Sequence, residues 1–260
     1  MTLPFAPLPF SVDRSIFIQA DPATVFSFFV EPVRWAAWWG AGSTVEPRVG
    51  GAILIRHSNG FESTGEVLEI VPQERIVFTY SLQAAKPVPA EESRVTLRLE
   101  PQGTGTLVSV THHVADAGLR DLLPQGWRFH LSLFANAVAN VTNADAPALA
   151  DAWFSLWTEA EADPAARTST LRDIAAEHIR FADRYSCLDG IAEIETHIGA
   201  SQRFMPGVSL ERRGEVRHCQ GTALVDWAAL KDGNVIMTGT NVFVFGSGGK
   251  FASVTGVTNP

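Results

Sequence analysis

Glu69-Ile70-Val71-Pro72-Gln73-Glu74-Arg75-Ile76-Val77-Phe78-Thr79-Tyr80 reads as two strands folded back on one tight turn. β-Branched and aromatic residues fill both arms, and Pro72-Gln73 interrupts them where pairing has to stop. The same two-residue period runs from Gly50-Gly51 to His113, broken at Ser58-Asn59-Gly60 and at Pro101-Gln102-Gly103. It predicts strands near 51–57, 61–71, 75–83, 93–100 and 105–114. Strands joined by turns this short form an antiparallel sheet.

Helical signals flank this block. Strand-like alternation through Val12–Gln19 precedes Asp21-Pro22, an N-cap followed by proline at the first helical position, with Val25, Phe26 and Phe29 on one face. Pro32 is expected to end that helix, leaving the segment of Trp35, Trp38 and Trp39 before Gly40 and Gly42. From Leu119 to Val141, Leu122, Gly126, Phe129, Leu133, Ala137 and Val141 recur at three- and four-residue steps, the period of a long helix.

Asn143-Ala144-Asp145-Ala146-Pro147 reads as a linker. Beyond it the order repeats with different content. Helices are expected over 148–162 and 165–176, a strand near 178–183, and a short helix over 189–202. Strands follow near 208–218, 220–230 and 234–245, with a last one after Gly246-Ser247-Gly248-Gly249. The fold class is α+β in both halves, an antiparallel sheet wrapping helices.

Composition narrows the function classes. The 260 residues are 46% hydrophobic and 18% charged, with sixteen Phe and seven Trp, enough to build sizeable cores. The net charge is −8, and dividing at Asp145 leaves 10 basic and 14 acidic residues in each half. Neither half carries a basic face, which argues against nucleic acid and against membrane surfaces as partners. Pro4, Pro7 and Pro9 interrupt an N-terminus with no basic leader, so no signal peptide is expected there. No apolar run approaches the roughly 20 residues that span a bilayer. A cytoplasmic protein is expected. Cys187 and Cys219 cannot build a disulfide framework or a zinc site alone and read as small buried thiols.

In the first half, Asp21-Pro22, Val25-Phe26, Glu31-Pro32, Trp38-Trp39-Gly40, Gly50-Gly51, Gly65, the hairpin 69–80 and Gly126-Trp127 occur in a fixed order. Together they resemble the START-like (SRPBCC) superfamily, in the branch named after the activator of heat-shock protein 90 ATPase, over about residues 12–142. The resemblance implies a helix-grip domain over 1–143, its long C-terminal helix lying across a curved sheet, often with an apolar cavity between them.

The second half carries Trp153-Phe154-Ser155-Leu156-Trp157, Ile179-Arg180-Phe181-Ala182-Asp183-Arg184-Tyr185, Gly190, Pro206-Gly207, Val225-Asp226-Trp227, Gly239-Thr240-Asn241-Val242-Phe243 and Gly249-Lys250-Phe251-Ala252-Ser253-Val254. It resembles the SnoaL-like branch of the nuclear transport factor 2-like superfamily. That implies a conical α+β domain over 148–260 with a pocket between helices and sheet. It also implies dimerisation sheet on sheet, hence a homodimer through this half.

Members of that superfamily include isomerases, cyclases, hydrolases and pure binding modules. In its isomerases a carboxylate after the helices is the general base and a donor on a later strand holds the enolate oxygen. By motif, Asp183 takes the first place and Asn241 the second. Asn departs from the family's protonated Asp or Tyr, and Trp153 and Trp157 stand where the first helix would carry a Tyr. His197, near the pocket mouth, is a candidate second acid or base. The plainer alternatives are a turn role for Asp183, paired with Arg184 or Arg203, and a surface role for His197.

Pocket walls are expected from Trp38, Trp39, Phe61, His112, Trp127 and His130 in the first half, unless these simply fill it. In the second half they are expected from Trp153, Trp157, Phe181, Tyr185 and Trp227. His57, His112, His113 and His130 are too scattered for a metal site, and neither metal nor organic cofactor is expected. His218 sits in an alternating charged stretch and reads as the wet face of a strand.

Three readings stay open. One is a binding protein for small apolar or aromatic molecules, polyketide- or lipid-like, with a pocket in each domain. Another is a cofactor-independent cyclase, isomerase or hydrolase working through Asp183. The third is a protein-interaction or chaperone-linked module, which requires an exposed apolar patch.

Overall fold

A computed structural model describes residues 7–81, 92–158 and 163–260. The proline-interrupted start (1–6), the end of the strand expected at 75–83 and the end of the helix expected at 148–162 lie partly or wholly outside the described residues. The chain divides into two compact units at Ala139/Asn140.

The first unit opens with β1 (Phe10–Ile18) and α1 (Pro22–Val30). Asp21 caps α1, its Oδ1 accepting the backbone N–H of Thr24 at 2.9 Å, with Pro22 in the first turn where no donor is needed. Pro32 does not leave an irregular segment behind it. It starts a second helix, α2 (Pro32–Trp39), with Glu31 closing one helix and opening the next. The fixed φ of proline suits a first helical turn as well as it blocks a later one.

β2 (Thr44–Val45), β3 (Ala52–Arg56), β4 (Glu62–Val71), β5 (Arg75–Phe78), β6 (Ser93–Gln102) and β7 (Gly105–Val114) follow, then α3 (Ala117–Thr142). The sheet order is β1-β7-β6-β5-β4-β3-β2, antiparallel throughout. Leu123, Trp127, Leu131, Phe134 and Val138 form the buried stripe of α3, at helical spacing. Phe134 stacks on Phe29 at 5.4 Å and meets Trp38 edge-on at 5.1 Å. Burial of each such ring contributes roughly 1.5–3 kcal/mol.

The second unit contains α4 (Ala146–Thr158), α5 (Pro164–Ile174), β8 (Ala175–Ala182), β9 (Cys187–Asp189), α6 (Ile191–Phe204), β10 (Val208–Cys219), β11 (Thr222–Lys231), β12 (Asn234–Phe245) and β13 (Phe251–Thr258). Its sheet order is β10-β11-β12-β13-β8-β9. A wholly antiparallel sheet was expected here, but β13 pairs with β8 in parallel. The final strand enters beside the first one laid down, running in the same direction. Asp232-Gly233 links β11 to β12 with both φ values positive (51° and 76°), the two-residue turn that matches the twist of a hairpin.

Candidate functional site

A cavity of about 320 Å³ lies in the second unit, walled by α4, α6 and the inner face of the sheet. Trp153 and Trp157, four residues apart, project from one face of α4. β8 supplies Phe181, and the turn that follows it supplies Asp183 and Tyr185. α6 adds His197, β11 adds Trp227, β12 adds Asn241 and β13 adds Gly256. All eight residues named in this half of the sequence therefore surround one hollow. Tyr185, Met205 and Ile236, exposed by 50% or more, mark its mouth.

Asp183 is both a turn residue and a wall residue. Its Oδ1 accepts the backbone N–H groups of Tyr185 at 2.8 Å and Ser186 at 2.7 Å. Its other carboxylate oxygen has no partner among the described residues, and neither Arg184 nor Arg203 pairs with it. Ser186 Oγ lies 3.0 Å from Nε2 of His197, so one turn orders both candidate proton-transfer groups. Ser186 was not singled out in the sequence; its signal is that it follows directly on the Asx turn that Asp183 makes with Tyr185.

Asn241 is 5% exposed and its amide has no hydrogen-bond partner among the described residues. The indole nitrogens of Trp157 and Trp227 are also buried without one. Unpaired buried donors cost free energy unless something occupies the space in front of them. Trp227 is pressed against Gly239 on the neighbouring strand: a Cβ there would sit 2.5 Å from the indole. Asp226, on the opposite face of β11, pairs with Arg217 at 3.0 Å and accepts from Thr240 at 2.6 Å.

The first unit is different. Trp38, Trp39, Trp127 and His112 are at most 3% exposed and pack ring against ring. Trp127 Nε1 donates to His112 Nδ1 at 3.0 Å, and His112 Nε2 meets Ser93 Oγ at 2.9 Å, which itself donates to the Tyr80 carbonyl at 2.6 Å. An imidazole that accepts at Nδ1 carries its proton on Nε2 and is neutral. Burial, with a smaller contribution from the charge of His113, accordingly pushes His112 down to about 3. His130 is half-buried against Trp39 at 4.6 Å and His57 at 5.4 Å, with no partner for Nδ1 among the described residues. Burial first and His57 second lower it to about 4. Phe61 is half-buried beside His57 at 5.6 Å.

Two expectations are corrected. Cys187 and Cys219 are exposed, the first on the short strand β9 and the second at the end of β10. His218 is not on a wet face: it is half-buried between Asn140 (3.1 Å) and Asn143 (3.3 Å) and against Phe245. Among the described residues no group of three His, Cys, Asp or Glu is placed to hold a metal ion, and no helix is long and apolar enough to cross a membrane.

Residues 19–139 match the family model described as Activator of Hsp90 ATPase homolog 1-like protein, in agreement with the resemblance traced through residues 12–142. No curated protein matches the chain. Similar solved structures include a protein of the SnoaL-like family from Agrobacterium tumefaciens, a candidate isomerase, at 21% identity (46% of this chain, 99% of that one, TM-score 0.42). CalU16 from Micromonospora echinospora is similar at 21% identity (49% and 75%, TM-score 0.42). The Aha1 dimer from Colwellia psychrerythraea is similar at 21% identity (48% and 92%, TM-score 0.40).

Proposed function

We propose that the protein binds a small apolar or aromatic molecule in the cavity of its second unit. The observation that carries this reading is the 320 Å³ hollow whose aromatic wall leaves the Asn241 amide unpaired. Ligand sites of this kind combine a mostly apolar surface with a few polar anchors. The test uses the uncharged fluorophore N-phenyl-1-naphthylamine. It is expected to brighten on binding the protein and to lose that response in Gly256→Leu, which puts a side chain into the cavity from β13. Equal brightening by the variant, at an unchanged unfolding temperature, would refute the reading.

A second reading is favoured by one feature. A Cβ built on Gly256 would lie 3.2 Å from Asn241 Oδ1 and 3.4 Å from Asp183 Cβ, so acid and amide flank the same point of the wall. In this reading Asp183 takes a proton from the carbon next to a ligand carbonyl, and Asn241 donates to the enolate oxygen that forms. Deuterium exchange into 2-tetralone in D₂O tests it: exchange above the protein-free rate that disappears in Asp183→Asn supports it, and exchange unchanged by that variant rejects it.

A further inference from the structure

The charge and aromatic content of the cavity wall select among ligands. Resting on the proposed binding role, we infer that the cavity of the second unit takes an organic cation, an ammonium group carried on an apolar or aromatic body. Asp183 lines the wall with one carboxylate oxygen that has no partner among the described residues, and among those residues no Lys or Arg lines the cavity. The nearest arginine in sequence, Arg184, lies over the ring of Tyr185 at 5.2 Å instead. Trp157 and Trp227 are half-buried on this wall, and the rings of Trp157, Trp153 and Phe181 lie 5.5–6.0 Å from one another.

Aromatic faces carry the negative end of the ring quadrupole, and indole is the strongest of them for a cation. A carboxylate in the same hollow adds to that field. A ligand carboxylate meets the opposite situation, a like charge with no Lys or Arg among the described lining residues to offset it, His197 being the one basic side chain there. The surplus of acidic over basic residues in this half, 14 against 10, acts in the same direction at longer range. The fatty acids that fit the cavity by apolarity alone are therefore disfavoured by charge.

Three probes of similar shape separate these terms: benzyltrimethylammonium, its uncharged isostere neopentylbenzene, and phenylacetate. Calorimetric titration of the full chain at low ionic strength is expected to rank the cation at least roughly tenfold tighter than the other two. In Asp183→Asn, which keeps an Oδ1 to accept the two backbone N–H groups, the cation should fall to within about threefold of neopentylbenzene. Neopentylbenzene or phenylacetate binding as tightly as the cation to the unaltered protein would overturn the inference and leave the binding role standing. Binding of none of the three at millimolar concentration would overturn both.

Discussion

Trp127 and His112 form a buried donor–acceptor pair, indole Nε1 to imidazole Nδ1 at 3.0 Å, linking α3 to β7. Trp127→Phe keeps an aromatic ring but removes the donor and part of the indole's volume, leaving His112 Nδ1 unsatisfied in a dry interior beside a small cavity. The expected cost is about 1–3 kcal/mol, read as a lower urea midpoint at unchanged slope. A loss below about 0.5 kcal/mol would show that the pair contributes no more than an ordinary surface contact.

His112 and His130 make the first unit sensitive to acid. Their folded values, about 3 and about 4, lie below the 6.5 of an unfolded histidine. The unfolded chain therefore binds more protons between these limits, so stability is full above pH 6.5 and falls as the pH drops toward 4. The shifts correspond to upper figures on the order of 5 kcal/mol for His112 and 3 kcal/mol for His130. His130→Leu should flatten the fall in unfolding temperature between pH 7 and pH 4.5 by a measurable part; a parallel curve would assign the acid sensitivity elsewhere.

Gly239 is where two strands and an indole converge. A methyl group there would stand 2.4 Å from the carbonyl oxygen of Val257 and 2.5 Å from the Trp227 ring. Gly239→Ala should cost about 1–3 kcal/mol and displace Trp227 from the cavity wall. Reduced fluorophore binding together with a lower unfolding temperature is the expected pair of results. Full binding with a lowered temperature would mean that Trp227 does not shape the cavity.

A homodimer through the second unit is expected to pack on the outer face of its sheet. Leu224 pairs in register with Val242, and Val244 and Val257 are 38% and 54% exposed on the face turned away from Asn241 and Phe243. Light scattering after gel filtration is expected to give twice the 28.1 kDa of one chain, and Val244→Lys to restore the single mass. A single-chain mass for the unaltered protein would remove the dimer.

Strand periodicity and caps made most elements readable, because alternation and N-capping are local physics. The hairpin around Pro72-Gln73 lies where its residues put it, between β4 (Glu62–Val71) and β5 (Arg75–Phe78). Pro32 closes α1 as expected, but the helix it opens was not legible, because proline marks a helix end and a helix start by the same restriction of φ. The parallel pairing of β13 with β8 was illegible for another reason: it joins segments about eighty residues apart, which no local pattern encodes. At the site, Asp183, His197 and Asn241 were reached through motifs, and each lines the cavity. How deeply an aromatic residue is buried depends on tertiary packing, so Trp38 and Trp157 look alike in sequence, yet Trp38 is fully buried and Trp157 is half-buried on the cavity wall.

Seven tryptophans offer a direct test of where a ligand sits: Trp35, Trp38, Trp39 and Trp127 in the first unit, Trp153, Trp157 and Trp227 in the second. Their indole N–H resonances can be followed in a ¹⁵N-labelled sample titrated with N-phenyl-1-naphthylamine. Shifts confined to Trp153, Trp157 and Trp227 are the result this account requires. Movement of the first-unit indoles alone, or of none, would contradict it.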